Sequence, residues 1–199
     1  MISVYSIKPK FQQLLRPILV ALHGMGVTAN ALTLTAIALS AATGLVFWLS
    51  DSHYIFLMVP LVLLLRMALN ALDGMMARTY NMQSRLGEIL NEMGDVVSDI
   101  FLFFPFVKVS FLDTYLLFAF ILLAVVNEFA GILSKAMGGE RRYDGPMGKS
   151  DRALFVGLGC LLLFFFPVSV EEYGNYGLIL AIILLIISTF IRLKKNLRP

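Results

Sequence analysis

The stretch Asn70–Asp99, NALDGMMARTYNMQSRLGEILNEMGDVVSD, decides how this chain is read. It sets carboxylates, carboxamides, arginines and glycines at helical spacing inside an otherwise apolar sequence. Lipid-facing helix positions do not tolerate such groups, so they must face one another, water or a ligand. Arg66, Asn70, Asp73 and Ala77 recur at helical intervals and share one face. Glu88, Glu92, Asp95 and Asp99 form a second stripe, with Asn91 on its edge. An antiparallel hairpin through TYNMQSR brings Asp73 level with Asn91 and Asp95.

Outward from this stretch the chain reads as membrane. It has 199 residues, is 59% hydrophobic and only 15% charged, with a mean hydropathy of +0.83. Six apolar runs, at 31–50, 54–79, 86–107, 113–135, 152–170 and 174–192, each approach the ~20 residues a bilayer requires. Backbone in lipid must satisfy its own hydrogen bonds, so the spans are helices. The expected fold is all-α and integral to the membrane: six transmembrane helices plus an N-terminal interfacial amphipathic helix. It forms one membrane domain over 1–199, with the interfacial helix at 5–24 and the six-helix bundle at 27–199.

Residues 5–24 mix Phe11, Leu14, Leu15, Ile18 and Leu19 with Lys8, Lys10 and Arg16, the pattern of a helix lying in the headgroup plane. The alternative is a basic leader without a defined depth. Pro17 starts or kinks the helix. The N-terminus lacks the layout of a cleavable signal peptide.

Charge sets the orientation. Lys8, Lys10, Arg16, Arg78, Arg85, Lys135, Arg141, Arg142, Lys149, Arg152, Arg192, Lys194, Lys195 and Arg198 fall on one side of this topology. The other side carries Lys108 and the acids Asp51, Asp113, Glu171 and Glu172. The positive-inside rule puts both termini and the motif side in the cytoplasm. The net charge of +3 therefore speaks of topology and anionic lipid, and no nucleic-acid module is visible. The single cysteine, Cys160, excludes an intrachain disulfide or a thiolate cage.

The hairpin stripes carry the chemistry. Hard oxygens converging from two helices suit Mg²⁺, Mn²⁺ or Ca²⁺, and Mg²⁺ typically shares itself with phosphates. Arg78 can hold a phosphate beside such an ion. The competing reading is a polar network that only joins helices.

The spacing resembles the signature of the CDP-alcohol phosphotransferase family, Asp-x2-Asp-Gly-x2-Ala-Arg, eight residues, then Gly-x3-Asp-x3-Asp. Here Asn70, Asp73, Gly74, Ala77 and Arg78 are followed by eight residues and by Gly87, Asn91 and Asp95. The resemblance covers the chain from Val27 onward and extends to a bacterial inner-membrane branch. It implies transfer of a phosphatidyl or related phosphoalcohol group from CDP-diacylglycerol or a similar CDP-alcohol to a small acceptor alcohol. CMP is released, in phospholipid biosynthesis.

The resemblance also implies roles. Asn70, Asp73, Asn91 and Asp95 are metal positions for one or two Mg²⁺ or Mn²⁺ ions, and Asp95 is also the general base. Gly74, Ala77, Arg78, Ser84 and Gly87 line the CDP donor, with Asn30 and Thr33 at the entry to the first span. Asn30 reads equally well as a helix N-cap. Arg141, Arg142, Lys149 and Arg152, around Gly148-Lys149, would bind an anionic or phosphorylated acceptor, or simply meet anionic lipid. Relatives are commonly homodimers.

Asn70 and Asn91 depart from the signature. Each carboxamide still offers an oxygen but brings no charge. Three readings follow: one metal or two held weakly; Glu88, Glu92 or Asp99 supplying the missing charge, Glu92 first by its reach; or a degenerate protein that binds CDP-lipid without turnover. Arg66 lies deeper than Asp73, as Asp99 lies deeper than Asp95, so an Arg66–Asp99 ion pair is expected. Glu128, beside Asn127, is the rival partner of Arg66.

Overall fold

The computed structural model describes residues 8–197, and they are helical throughout apart from short connections. Residues 5–7 of the expected interfacial helix, and Arg198, lie outside the described residues. The helices are α1 (Lys8–Gly24), α2 (Ala29–Leu49), α3 (Ile55–Thr79), α4 (Arg85–Phe103), α5 (Thr114–Ala136), α6 (Lys149–Phe165) and α7 (Pro167–Asn196). A 3-10 turn, Phe104–Lys108, follows α4.

Local chemistry sets the helix ends. Thr28 caps α2, its hydroxyl accepting from the Ala31 N–H at 3.2 Å. Asn30 is therefore not the N-cap and sits inside the first turn. Ser84 caps α4, and Asp113 caps α5 by accepting from the Tyr115 and Leu116 N–H groups. The boundary between α6 and α7 falls at Phe166, earlier than the apolar runs suggest. Proline disfavours helical backbone in the residue before it and is well placed as the first residue of the next helix. Phe166 accordingly leaves the helical region, and Pro167 opens α7.

Four helices, α2, α3, α5 and α7, are long and apolar enough to cross a membrane. Helix α4 is different: Arg85, Glu88, Glu92, Asp95 and Asp99 interrupt its apolar residues. It is turned inside out relative to a soluble helix. Asp95, Ser98 and Asp99 are buried, while Leu86, Ile89 and Met93 face outward. Lipid on one side and a polar interior on the other give that distribution. Helix α6 has 17 residues.

Helix α2 packs against both α3 and α4, α5 runs along α7, and α6 bridges α3 and α7. The main core joins Phe47, Val59, Leu63, Leu102, Phe120, Cys160 and Leu185 across these helices. A second cluster fixes α1 beside the motif: Leu15 and Leu19 meet Ala29, Leu32, Leu72 and Met76. There His23 stacks on Tyr80 with ring centroids 3.5 Å apart.

Where α2 crosses α4, Gly44 lies against the Phe101 carbonyl, and a Cβ at Gly44 would overlap that oxygen. Lipid tails are as apolar as leucine, so close backbone approach of this kind supplies much of the helix–helix attraction. Gly44→Val should therefore separate α2 from α4 at a cost of roughly 1–3 kcal/mol, read as a lower unfolding midpoint in detergent. Gly159→Ala, at an α6 position with no neighbour within 4 Å, should leave that midpoint unchanged or slightly raised.

Candidate active site

Helices α3 and α4 form the antiparallel hairpin that places the motif. Asp73 is buried on α3, and Asp95 and Asp99 are buried on α4. Arg66, two turns from Asp73, reaches across the hairpin. Its Nη1 lies 2.5 Å from Asp99 Oδ1, and its Nη2 donates to the Asp95 carbonyl at 3.1 Å. The same Nη2 is 3.9 Å from Asp95 Oδ1.

The Asp73 carboxylate is oriented from α2, where the Thr33 hydroxyl donates to Asp73 Oδ2 at 2.8 Å. Thr33 thus touches the motif acid directly. Asn30 approaches α4 at Gly87: a Cβ there would lie 2.7 Å from Asn30 Oδ1. Ser84 Oγ accepts from the Gly87 N–H at 3.0 Å. Arg78 is exposed and folds back over Gly74, with Ala77 half-buried beside it. Asn70 and Asn91 are both half-buried, and Asn70 Nδ2 is buried without a hydrogen-bond partner.

Helix α6 brings two further cations. Lys149, its first residue, pairs through Nζ with Asp95 Oδ1. The Lys149 charge also acts on Asp73. Arg152 is 1% exposed. Its Nε and Nη2 donate to Asp99 Oδ2 at 3.0 and 2.8 Å, Nη2 also reaches Glu128 Oε1 at 2.9 Å, and Nη1 donates to the Met147 carbonyl. Arg152, expected on the acceptor side, has its guanidinium sealed into internal pairs.

Glu92, the expected source of the missing charge, is paired too. Its Oε2 lies 2.8 Å from Arg141 Nη2, which also pairs with Glu128 Oε2 at 2.8 Å. Among the described residues no three Asp, Glu, His or Cys side chains gather as a metal cage. Glu88 is drawn off to Lys135, and Asp99 is consumed by Arg66 and Arg152.

Burial works against the Arg141 charge. Tyr143, Glu128 and Glu92 outweigh it and hold its pKa above the ordinary arginine value. The Arg142 backbone N–H bonds the Gly131 carbonyl at 3.0 Å, while its side-chain Nε is buried without a partner.

Sequence reasoning missed the centre of this arrangement. Glu128, the rival partner of Arg66, instead gathers Arg152 and Arg141, with Arg192 at 3.9 Å. Arg192 donates to the Asn127 and Asp144 carbonyls at 2.6 and 3.1 Å. An acid inside an apolar span was the available signal, since it demands a cation at the same depth.

The donor set can hold a hard divalent cation: carboxylates of Asp73 and Asp95, with carboxamide oxygens of Asn70 and Asn91.

With this geometry in place, the chain can be assigned. It belongs to the CDP-alcohol phosphatidyltransferase family, whose sequence model matches residues 26–191. It is accordingly an integral membrane protein of the transferase class of phospholipid biosynthesis. It is 49% identical to inner membrane protein YnbA of Escherichia coli (strain K12) over 165 residues, 83% of this chain and 82% of that protein.

Its fold is similar to that of Mycobacterium tuberculosis phosphatidylinositol phosphate synthase PgsA1. The form with CDP-DAG bound superposes with a TM-score of 0.73 at 22% identity, covering 92% of each chain. The form in complex with manganese and citrate gives the same score and identity, over 92% of this chain and 88% of that one.

Asp99 is the shared anion of two buried arginines. Removing its charge strands both, and breaking a buried pair from one side costs about 3–5 kcal/mol. Asp99→Asn should lower the unfolding midpoint in detergent steeply. Asp51→Asn, in the exposed pair with Lys108, should leave it unchanged.

Proposed function

We propose that this protein transfers a phosphatidyl or related phosphoalcohol group from CDP-diacylglycerol, or a similar CDP-alcohol, to the hydroxyl of a small alcohol, releasing CMP. The observation that carries this reading is the convergence of Asp73 and Asp95 at motif spacing beside an uncommitted Arg78. The CDP-DAG held by PgsA1 supports the donor, and the manganese in its other form supports a divalent cation.

Asp73 and Asp95, with the oxygens of Asn70 and Asn91, would hold Mg²⁺ or Mn²⁺. Bound there, the ion neutralises the diphosphate and stabilises charge on the transferred phosphorus. The protein supplies the rest. Thr33 fixes the Asp73 carboxylate. Arg78 reaches over Gly74 to the donor phosphates, and the small Gly74 and Ala77 leave room for the CDP moiety. Asn30, Ser84 and Gly87 border the same opening. Asp95 takes the proton of the acceptor hydroxyl late in the displacement. On the acceptor side Arg142 is the cation nearest to use, since Arg152, Arg141 and Lys149 are engaged internally.

The same proposal sets the protein in its membrane. The chain is one domain with six crossing helices, α2 to α7, the charged α4 and α6 being shielded by the others. Both termini and the site face the cytoplasm. Helix α1 lies in the interface, where Leu14 and Ile18 are exposed for lipid opposite the buried Leu15 and Leu19. The membrane is the bacterial inner membrane, and the assembly is a homodimer.

The test uses purified protein with CDP-diacylglycerol, Mg²⁺ or Mn²⁺ and a panel of alcohols, with CMP release as readout. Release is expected with at least one alcohol, and Asp95→Asn should reduce it by about 10³-fold. CDP-lipid binding without release in any alcohol would instead establish the non-catalytic reading that Asn70 and Asn91 invite.

A further inference from the structure

The ionisable groups around the motif pair off, the exposed Arg78 apart. Arg66, Arg141, Lys149, Arg152 and Arg192 face Asp73, Glu92, Asp95, Asp99 and Glu128, five cations against five carboxylates. The four arginines are committed chiefly elsewhere: Arg66 and Arg152 to Asp99, with Arg66 also 3.9 Å from Asp95 Oδ1, Arg141 to Glu92 and Glu128, and Arg192 to backbone carbonyls. Lys149 is the exception. Its ammonium is the cation in direct contact with Asp95 Oδ1.

Its placement is built, not incidental. The loop before α6 is pinned to α5 by the Arg142 N–H on Gly131, and to α7 by Ser188 and Arg192 on the Asp144 carbonyl. The Asp151 carboxylate then accepts from the Gly148 N–H and fixes the start of α6. Lys149 follows directly and points at Asp95.

We propose that Lys149 is a resident cation of this site: it holds Asp95 Oδ1 and restricts the site to one divalent ion per chain. Asp73 and Asp95, with the carboxamide oxygens of Asn70 and Asn91, would hold that single ion. A second dication would face an ammonium at contact distance with no additional carboxylate to offset it. This rests on the proposed site taking a divalent cation at all. It deepens that reading by assigning the second positive charge to the protein.

The test is Mn²⁺ titration of the purified full chain in detergent, with free Mn²⁺ read by electron paramagnetic resonance. Wild type is expected to bind one Mn²⁺. Lys149→Met should bind a second ion, or the first about tenfold more tightly. Lys149→Arg, which keeps the charge, should bind one ion with near wild-type affinity.

Two ions or none on wild type would overturn the proposal, as would a folded Lys149→Met protein indistinguishable from wild type. Should Lys149→Met fail to fold, wild-type stoichiometry decides alone. The readout is independent of turnover. The expected Mn²⁺ pattern without CMP release sinks the transferase reading only, and CMP release with two ions on wild type sinks this inference only.

Discussion

Asp99 holds the bundle together. An ionised side chain in the middle of a membrane helix costs about 2.5–3.5 kcal/mol even on the most lenient insertion scale. Asp99 meets that cost by receiving Arg66 from α3 on one oxygen and Arg152 from α6 on the other. Arg152 passes the link to Glu128 on α5, and Glu128 passes it to Arg141 in the loop before α6. Arg141 returns to α4 at Glu92. Helices α4, α5 and α6 and the loop are closed into a ring of charge, with α3 joined to it through Arg66, and none of its members can leave without stranding a neighbour.

That ring is also the floor of the candidate site. Asp95 lies one turn from Asp99, and Arg66 touches the side chain of one and the backbone of the other. Thr33 steadies Asp73 from α2. Every group proposed to meet the donor diphosphate, Arg78 apart, therefore sits on a helix whose rotation is fixed by buried contacts. Sites carried on rigid elements hold their geometry better than sites on loops. The loop that does matter, before α6, is bonded at both sides and serves mainly to deliver Lys149.

The hairpin could be read from the sequence because its two stripes are joined by a short connection. With the connection short, depth arithmetic alone sets Arg66 opposite Asp99. The α6 side could not be read that way. Arg152 has partners on α4 and α5, and nothing local fixes which way α6 turns. A cation next to Gly148-Lys149 therefore reads equally as lipid anchor, anion binder or buried pair.

Glu92 meets Arg141 for a subtler reason. Asn91 and Glu92 flank Asp95 on opposite sides of the stripe, since each residue advances about 100° around the axis. Glu92 is on the side where Arg141 arrives. The end of α6 was misplaced because hydropathy continues through Phe166–Pro167, while backbone sterics stop the helix there.

The two asparagines make sense within the same accounting. A site of several converging carboxylates carries strong self-repulsion until its metal arrives, which ties folding to metal binding. Here Asn70 and Asn91 keep oxygens in place while removing charge, and Lys149 compensates the Asp95 that remains. The polar interior is neutral on its own, and the arginine ring stays intact with no ion present. The buried carboxylates thus have partners supplied by the protein itself. A lysine at the start of α6 and two carboxamides on the hairpin are thus parts of one adjustment, because either change alone would leave the buried charges unbalanced.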